Sequence, residues 1–206
     1  MNEHYAKSKG LHLNYSIITN LIDADSTVLD LGCGDGTLLK MLKDKKIKSQ
    51  GVEIDQNKVI KCLEKGLSVI QDDIDEGLLE YPDKSYDYVI LNQALQCTEK
   101  PHYVIQEMLR VGKKVVVSFP NFAYWRVRFY LLFHGQMPKS KILPFEWYDT
   151  PNIHLLTIND FYEFAKKNDI KIEQTICMTR AKVRKSILHK MFDSFFAEEV
   201  MFVISK

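Results

Sequence analysis

The chain has 206 residues, 28 Lys and Arg against 27 Asp and Glu for a formal charge of +1, with 46% apolar and 11% aromatic residues. That length can bury a core without disulfide or metal support and points to a single domain over residues 1–206. Near-neutral balance argues against a general polyanion binder, so nucleic acid is not an expected partner. The four cysteines, Cys33, Cys62, Cys97 and Cys177, form no CxxC pair, and no signal-like stretch follows Met1, which fits a reducing cytoplasm. Apolar runs such as Val200 to Ile204 fall far short of the ~20 residues that cross a bilayer, so no membrane association is expected.

Leu11, Tyr15, Ile18, Leu21 and Ile22 recur at helical spacing and predict an opening helix that stops around Asp23 to Ser26. Thr27 to Leu31 reads as a buried strand, and after the glycine turn Leu38, Leu39 and Leu42 predict a helix. Gly51 to Asp55 is the second strand. Val59, Ile60 and Leu63 mark the next helix, and Leu67 to Ile70 and Tyr86 to Leu91 the third and fourth strands. Pro101 opens a helix carrying Val104, Ile105, Met108 and Leu109, which Gly112 ends before a fifth strand, Lys114 to Phe119. Repeated β-α alternation implies an α/β fold with a doubly wound, mostly parallel sheet and helices on both faces. From about 120 to 156 the alternation breaks into an aromatic and basic insert. Thr157 to Asp160 then resembles a capping box, followed by a strand at Ile170 to Met178, a basic helix from Val183 to Phe196 and a last strand at Glu199 to Ile204, seven strands in all.

Gly32, Gly34 and Gly36 let the chain turn sharply and let a ligand approach the backbone, with a helix N-terminus behind them. A dinucleotide GxGxxG would need glycine where Thr37 stands, whereas DxGxGxG fits Asp30 to Gly36, with Cys33 and Asp35 between the glycines. Glu53 closes the second strand, where a carboxylate can accept from both hydroxyls of a ribose. Asp73 follows the third strand, where a side chain can reach an adenine amino group while the Ile74 backbone addresses the ring. Three strand ends thus converge on one nucleoside. Each residue also has a plainer role: Asp30 organising the turn, Glu53 as a solvated strand end, and Asp72, Asp73, Asp75 and Glu76 as an acidic surface loop.

Through Val28 to Gly36, Gly51 to Asp55 and Tyr81 to Asp87 the chain resembles the Rossmann-like, S-adenosylmethionine-dependent methyltransferases of class I, whose last strand is antiparallel. The resemblance implies that Asp30 and the glycine loop face the methionine part, Glu53 with Ile54 the ribose, and Asp73 with Ile74 the adenine. Asn92 and Gln93 would border the transferred methyl, with S-adenosylhomocysteine as product. A narrower resemblance, to the MetW-type methionine biosynthesis proteins, is carried by Asn92 to Gln96, Glu107 to Gly112, Ser118 to Phe122, Trp125 to Arg128, Gly135 to Pro138 and Leu143 to His154. It implies a role in methionine formation alongside homoserine O-acyltransferase, and it leaves open whether methyl is transferred at all.

Methyl transfer from a sulfonium is an in-line displacement, so positioning supplies much of the rate and a base is needed only where the nucleophile must lose a proton. Leu91 to Ala94 is not an Asn-Pro-Pro-Tyr type segment, which disfavours methylation of base or glutamine amino groups by that route, and no spacing suggests a metal site. His154 and Tyr148 are the candidate catalytic residues, each equally readable as part of a loop that pins itself. Phe122, Trp125, Arg126 and Arg128 mix the side chains enriched at protein interfaces, and either pack as a lid or dock the acyltransferase. Lys182, Arg184, Lys185 and Lys190 read as the solvated face of a helix, and Cys33 as a small loop filler. The leading expectation is a cofactor-binding, methyltransferase-like pathway protein; the alternative is an active small-molecule methyltransferase.

Overall fold

Short β-branched runs between helices of three- and four-residue apolar spacing build this chain strand by strand. A computed structural model describes residues 14–140, 143–179, 183–186 and 190–206; Leu11 and Lys182 lie outside them. Helix α1 covers residues 14–21. It is followed by β1 (Thr27–Leu31), α2 (Thr37–Asp44), β2 (Lys48–Glu53), α3 (Gln56–Glu64), β3 (Val69–Gln71), β4 (Tyr86–Asn92), α4 (Pro101–Val111) and β5 (Gly112–Pro120). Then come α5 (Trp125–His134), α6 (Ile158–Lys167), β6 (Lys171–Met178), β7 (Val183–Lys185), α7 (Lys190–Phe196) and β8 (Glu199–Ser205).

The strands form one sheet in the order β3-β2-β1-β4-β5-β8-β6-β7. Pairings from β3 to β5 are parallel, and β8 runs antiparallel to both β5 and β6. This is the expected α/β sheet with one correction. Residues 183–185 form an eighth short strand on the edge against β6, not the start of a helix, because pairing of Val183 with Met178 and Lys185 with Ile176 outweighs local propensity. Arg184 there pairs with the buried carboxylate of Asp193.

Side chains alternate across β1. Leu29 and Leu31 enter the core shared with Met108 of α4 and Phe161 of α6. Val28 faces Ile18 of α1 and Leu38 and Leu42 of α2, and the same alternation turns Asp30 toward α1 and α2. The order reverses between β1 and β4, and at such a switch point the helices diverge and leave a crevice at the carboxyl ends of the strands. Local signals hold the frame. Thr157 Oγ1 accepts from the Asp160 N–H at 3.2 Å and Asp160 Oδ2 from the Thr157 N–H at 2.9 Å, the expected capping box of α6. Arg110 fastens the β3–β4 connection to α4: it donates to the carbonyls of Leu78 and Tyr81 at 2.8 Å and to Glu107 and Asp83.

Candidate functional site

The chain leaves β1 through a backbone that L side chains rarely adopt, with Gly34 at φ 61° and Gly36 at φ 76°. A Cβ on Gly36 would sit 2.5 Å from Leu67 Cδ1 and 2.8 Å from Cys62 Sγ, so the loop lies tight against α3 and the turn that follows it. A Cβ on Gly34 would meet nothing within 4 Å, so this side of the loop opens outward. Gly36 is the N-cap of α2 and contributes no side-chain bond there.

The structure brings Glu53 onto the glycine loop. Its Oε2 accepts from the Gly34 N–H at 2.8 Å and its Oε1 from the Asp55 N–H at 3.1 Å, with Lys58 Nζ at 3.5 Å. Asp30 is buried beside it, and burial together with the charge of Glu53 raises its carboxyl from the ordinary range to about 8. Near neutrality Asp30 is therefore mostly protonated. Asp35 accepts from Thr37 and pairs with Lys65, which holds its carboxyl low despite partial burial. The Cys33 N–H donates to the Val52 carbonyl at 3.1 Å, and burial pushes its thiol well above the usual range. Ile54 stands exposed at the end of β2.

Beyond β3, Asp73 Oδ1 caps the short turn that follows by accepting from the Asp75 N–H at 2.9 Å, and Ile74 packs against the core. Asp75 serves α4 instead, accepting from the N–H groups of Glu99 and Lys100 at 2.9 Å. At the end of β4, Asn92 Oδ1 accepts from Ser118 Oγ at 2.6 Å. Gln93 then adopts φ 56°, fixed by donation from its N–H to the Ser118 carbonyl at 3.0 Å. A left-handed non-glycine residue is backbone strain, and here it sits at the mouth of the crevice.

The two candidate catalytic residues lie on the exposed 143–156 loop. His154 touches the frame through its backbone N–H, which donates to the Gln96 carbonyl at 3.0 Å, and Tyr148 meets Trp147 edge to face at 5.5 Å. Sequence reasoning missed Tyr15. Its phenol on α1 is close enough to Asp30, Asp35 and Cys33 that their charges, after burial, lift its ionisation far above the normal value. It also missed Asn14 and Glu199, which meet at 2.8 Å beside Gln93. The alternation that turns Asp30 toward α1 was the one signal available for Tyr15. Among the described residues no group of His, Cys, Asp and Glu is arranged to hold a metal ion.

The fold is shared with solved methyltransferase structures. An S-adenosylmethionine-dependent methyltransferase from Archaeoglobus fulgidus superposes with a TM-score of 0.63 at 18% identity, covering 100% of this chain and 95% of that one. One from Thermotoga maritima, described as a possible histamine N-methyltransferase, gives 0.67 at 14% identity, covering 95% and 89%. The architecture is thus the Rossmann-like one of the methyltransferases. Within that class the identity is narrower: residues 12–204 match the methionine biosynthesis protein MetW family, and the chain belongs to it. The bifunctional methionine biosynthesis protein MetXA/MetW of Rhodopirellula baltica is 36% identical over 176 residues, 81% of this chain. The matched region spans 28% of that relative's length.

Proposed function

We propose that this chain binds S-adenosylmethionine in the crevice between β1 and β4 and acts in methionine biosynthesis together with homoserine O-acyltransferase. The observation that carries the first half is the convergence of three strand ends: buried Asp30 near the end of β1 with the open glycine loop after it, Glu53 closing β2, and Asp73 with Ile74 after β3. The residues fit the cofactor. Gly34 offers main chain with no Cβ in the way, Glu53 offers carboxylate oxygens to a ribose diol, and Asp73 keeps one carboxylate oxygen beyond its turn bond. When bound, the cofactor supplies an activated methyl on sulfur. The chain's own part is to hold the adenosyl group at Glu53, Ile54, Asp73 and Ile74, and to border the methyl with Asn92 and Gln93.

The fused relative, which joins MetXA and MetW in one protein, supports the partnership. So does α5, which buries Val127 while Leu132 and Phe133 stand 72% and 74% exposed. Arg126 lies over the Trp125 ring at 5.2 Å, and Trp125 continues through Phe129 to Phe133, a face suited to a protein partner. Arg128 donates to the Ala123 carbonyl while remaining exposed, as Arg126 does, and Phe122 and Trp125 are both half-buried. Titration calorimetry of S-adenosylmethionine with and without purified acyltransferase tests both halves. Saturable binding with coupled affinities supports the proposal, and uncoupled affinities contradict the partnership.

A second reading, methyl transfer to a small molecule, is favoured by the strained Gln93 at the crevice mouth. Formation of S-adenosylhomocysteine on adding an acceptor, slowed by Gln93→Ala, tests it. Pathway support that survives in a variant able to bind cofactor but not to transfer methyl would remove catalysis from that role.

A further inference from the structure

Antiparallel β8 begins beside the carboxyl ends of β4 and β5, with Glu199 opposite Pro120 in register. This places a carboxylate next to Gln93 that the cofactor reading does not use. Asn14 Nδ2 donates to Glu199 Oε2 at 2.8 Å and Gln93 Nε2 donates to the same oxygen at 3.2 Å. Both bonds fall on Oε2, and among the described residues Oε1 receives none. Glu198, 7% exposed, lies next to it and is hydrogen-bonded to the Tyr124 side chain. Burial and the Glu198 charge push the Glu199 carboxyl above its ordinary range, and among the described residues no cation pairs with it.

Gln96 gives an independent observation. It is 5% exposed, and its Nε2 donates to the Gln93 carbonyl at 2.8 Å, which fixes the orientation of the amide. Its Oε1 is then buried without a hydrogen-bond partner. Native proteins rarely leave a buried acceptor unmet, and a ligand donor is one of the few ways to satisfy it. Among the described residues, the acceptors left without a donor around Gln93 include Glu199 Oε1 and the buried Gln96 Oε1. A wall of unmet acceptors that includes a carboxylate favours a ligand group with positive charge and several N–H donors over a neutral hydroxyl, which brings a single O–H, and it repels a carboxylate.

We propose that Asn14, Gln93, Gln96 and Glu199 form a binding site for the primary ammonium group of a small molecule, with Glu199 as its counter-charge. The inference rests on the cofactor reading only in taking this wall to be the acceptor side of the same crevice. Asn14 and Gln93 hold the carboxylate through Oε2 and turn Oε1 to the ligand, so they act as positioning residues.

The test uses the full chain labelled with nitrogen-15, with ethanolamine as probe and ethylene glycol as its neutral match. The site predicts that ethanolamine saturably shifts the side-chain amide signals of Asn14, Gln93 and Gln96 while ethylene glycol at equal concentration does not. Glu199→Gln, whose fold is checked by its dispersed spectrum, should weaken the ethanolamine response by about tenfold or more. Equal responses to both probes, or none to either in the unaltered chain, overturn the site without recourse to a variant. An undiminished response in Glu199→Gln also overturns it. A parallel titration with S-adenosylmethionine separates the two readings: an ammonium response without cofactor binding supports this site and defeats the cofactor, and the reverse defeats this site alone.

Discussion

Substituting the last two glycines of the loop separates packing from binding. Gly34→Ala forces a Cβ onto left-handed backbone, at about 1–2 kcal/mol, and adds no clash, because nothing lies within 4 Å of that atom. Gly36→Ala bears the same strain and in addition drives its methyl to 2.5 Å from Leu67 Cδ1 and 2.8 Å from Cys62 Sγ. Overpacking of that kind adds about 1–3 kcal/mol, so Gly36→Ala should be destabilised by roughly 2–5 kcal/mol in all. Urea unfolding reads the difference directly. Affinity should behave in the opposite sense: the Gly34 methyl projects into the open space where S-adenosylmethionine would press against the main chain, and a tenfold loss, about 1.4 kcal/mol, is expected in calorimetry. Unaltered cofactor affinity in Gly34→Ala would show that no ligand lies against this loop. Equal stabilities of the two variants would refute the packing argument.

Three further predictions concern the frame around the crevice. The folded chain holds the Asp30 proton more tightly than the unfolded chain, so its stabilising effect is full below about pH 4 and lost as pH rises through about 8. The urea midpoint should therefore fall more steeply between pH 5 and 9 in the unaltered chain than in Asp30→Asn, and parallel profiles would contradict the burial argument. Arg110→Met strands Glu107 and the carbonyls of Leu78 and Tyr81. With the arginine 28% exposed, the cost should be about 2–4 kcal/mol in denaturant unfolding, below that of a fully buried pair; a loss under ~1 kcal/mol would contradict it. Replacing Trp125 and Phe133 together with alanine should weaken co-purification with homoserine O-acyltransferase by about tenfold or more, and unchanged association would reject α5 as the docking face.

The parts of this structure that were legible in the sequence are those decided locally. Thr27 to Leu31 reads as a strand from its composition, and it is one; the Thr157 box starts α6 as its spacing requires. The glycine spacing and the carboxylate ending β2 announced a shared location, and the Gly34–Glu53 bond joins them. What escaped is set by tertiary placement. Val183 to Lys185 carries charge that suits a helix face, yet an edge strand of β6 needed covering. Tyr15 looked apolar by periodicity because a buried phenol and a core residue share one spacing. Glu199 is one acidic residue ahead of an apolar run, and only the antiparallel return of β8 delivers it to Gln93. The mixture of aromatics and arginines over Trp125 to Phe133 left a packed lid and a docking face equally open, and only the placement of α5, with Leu132 and Phe133 exposed, distinguishes them.

A crystal structure of the chain grown with S-adenosylhomocysteine puts the central claim at greatest risk. The adenosyl group should lie between β1 and β4, with the ribose hydroxyls within hydrogen-bond distance of the Glu53 carboxylate and the adenine beside Asp73 and Ile74. A crevice without the nucleoside under saturating conditions, or the nucleoside seated elsewhere on the chain, would contradict it.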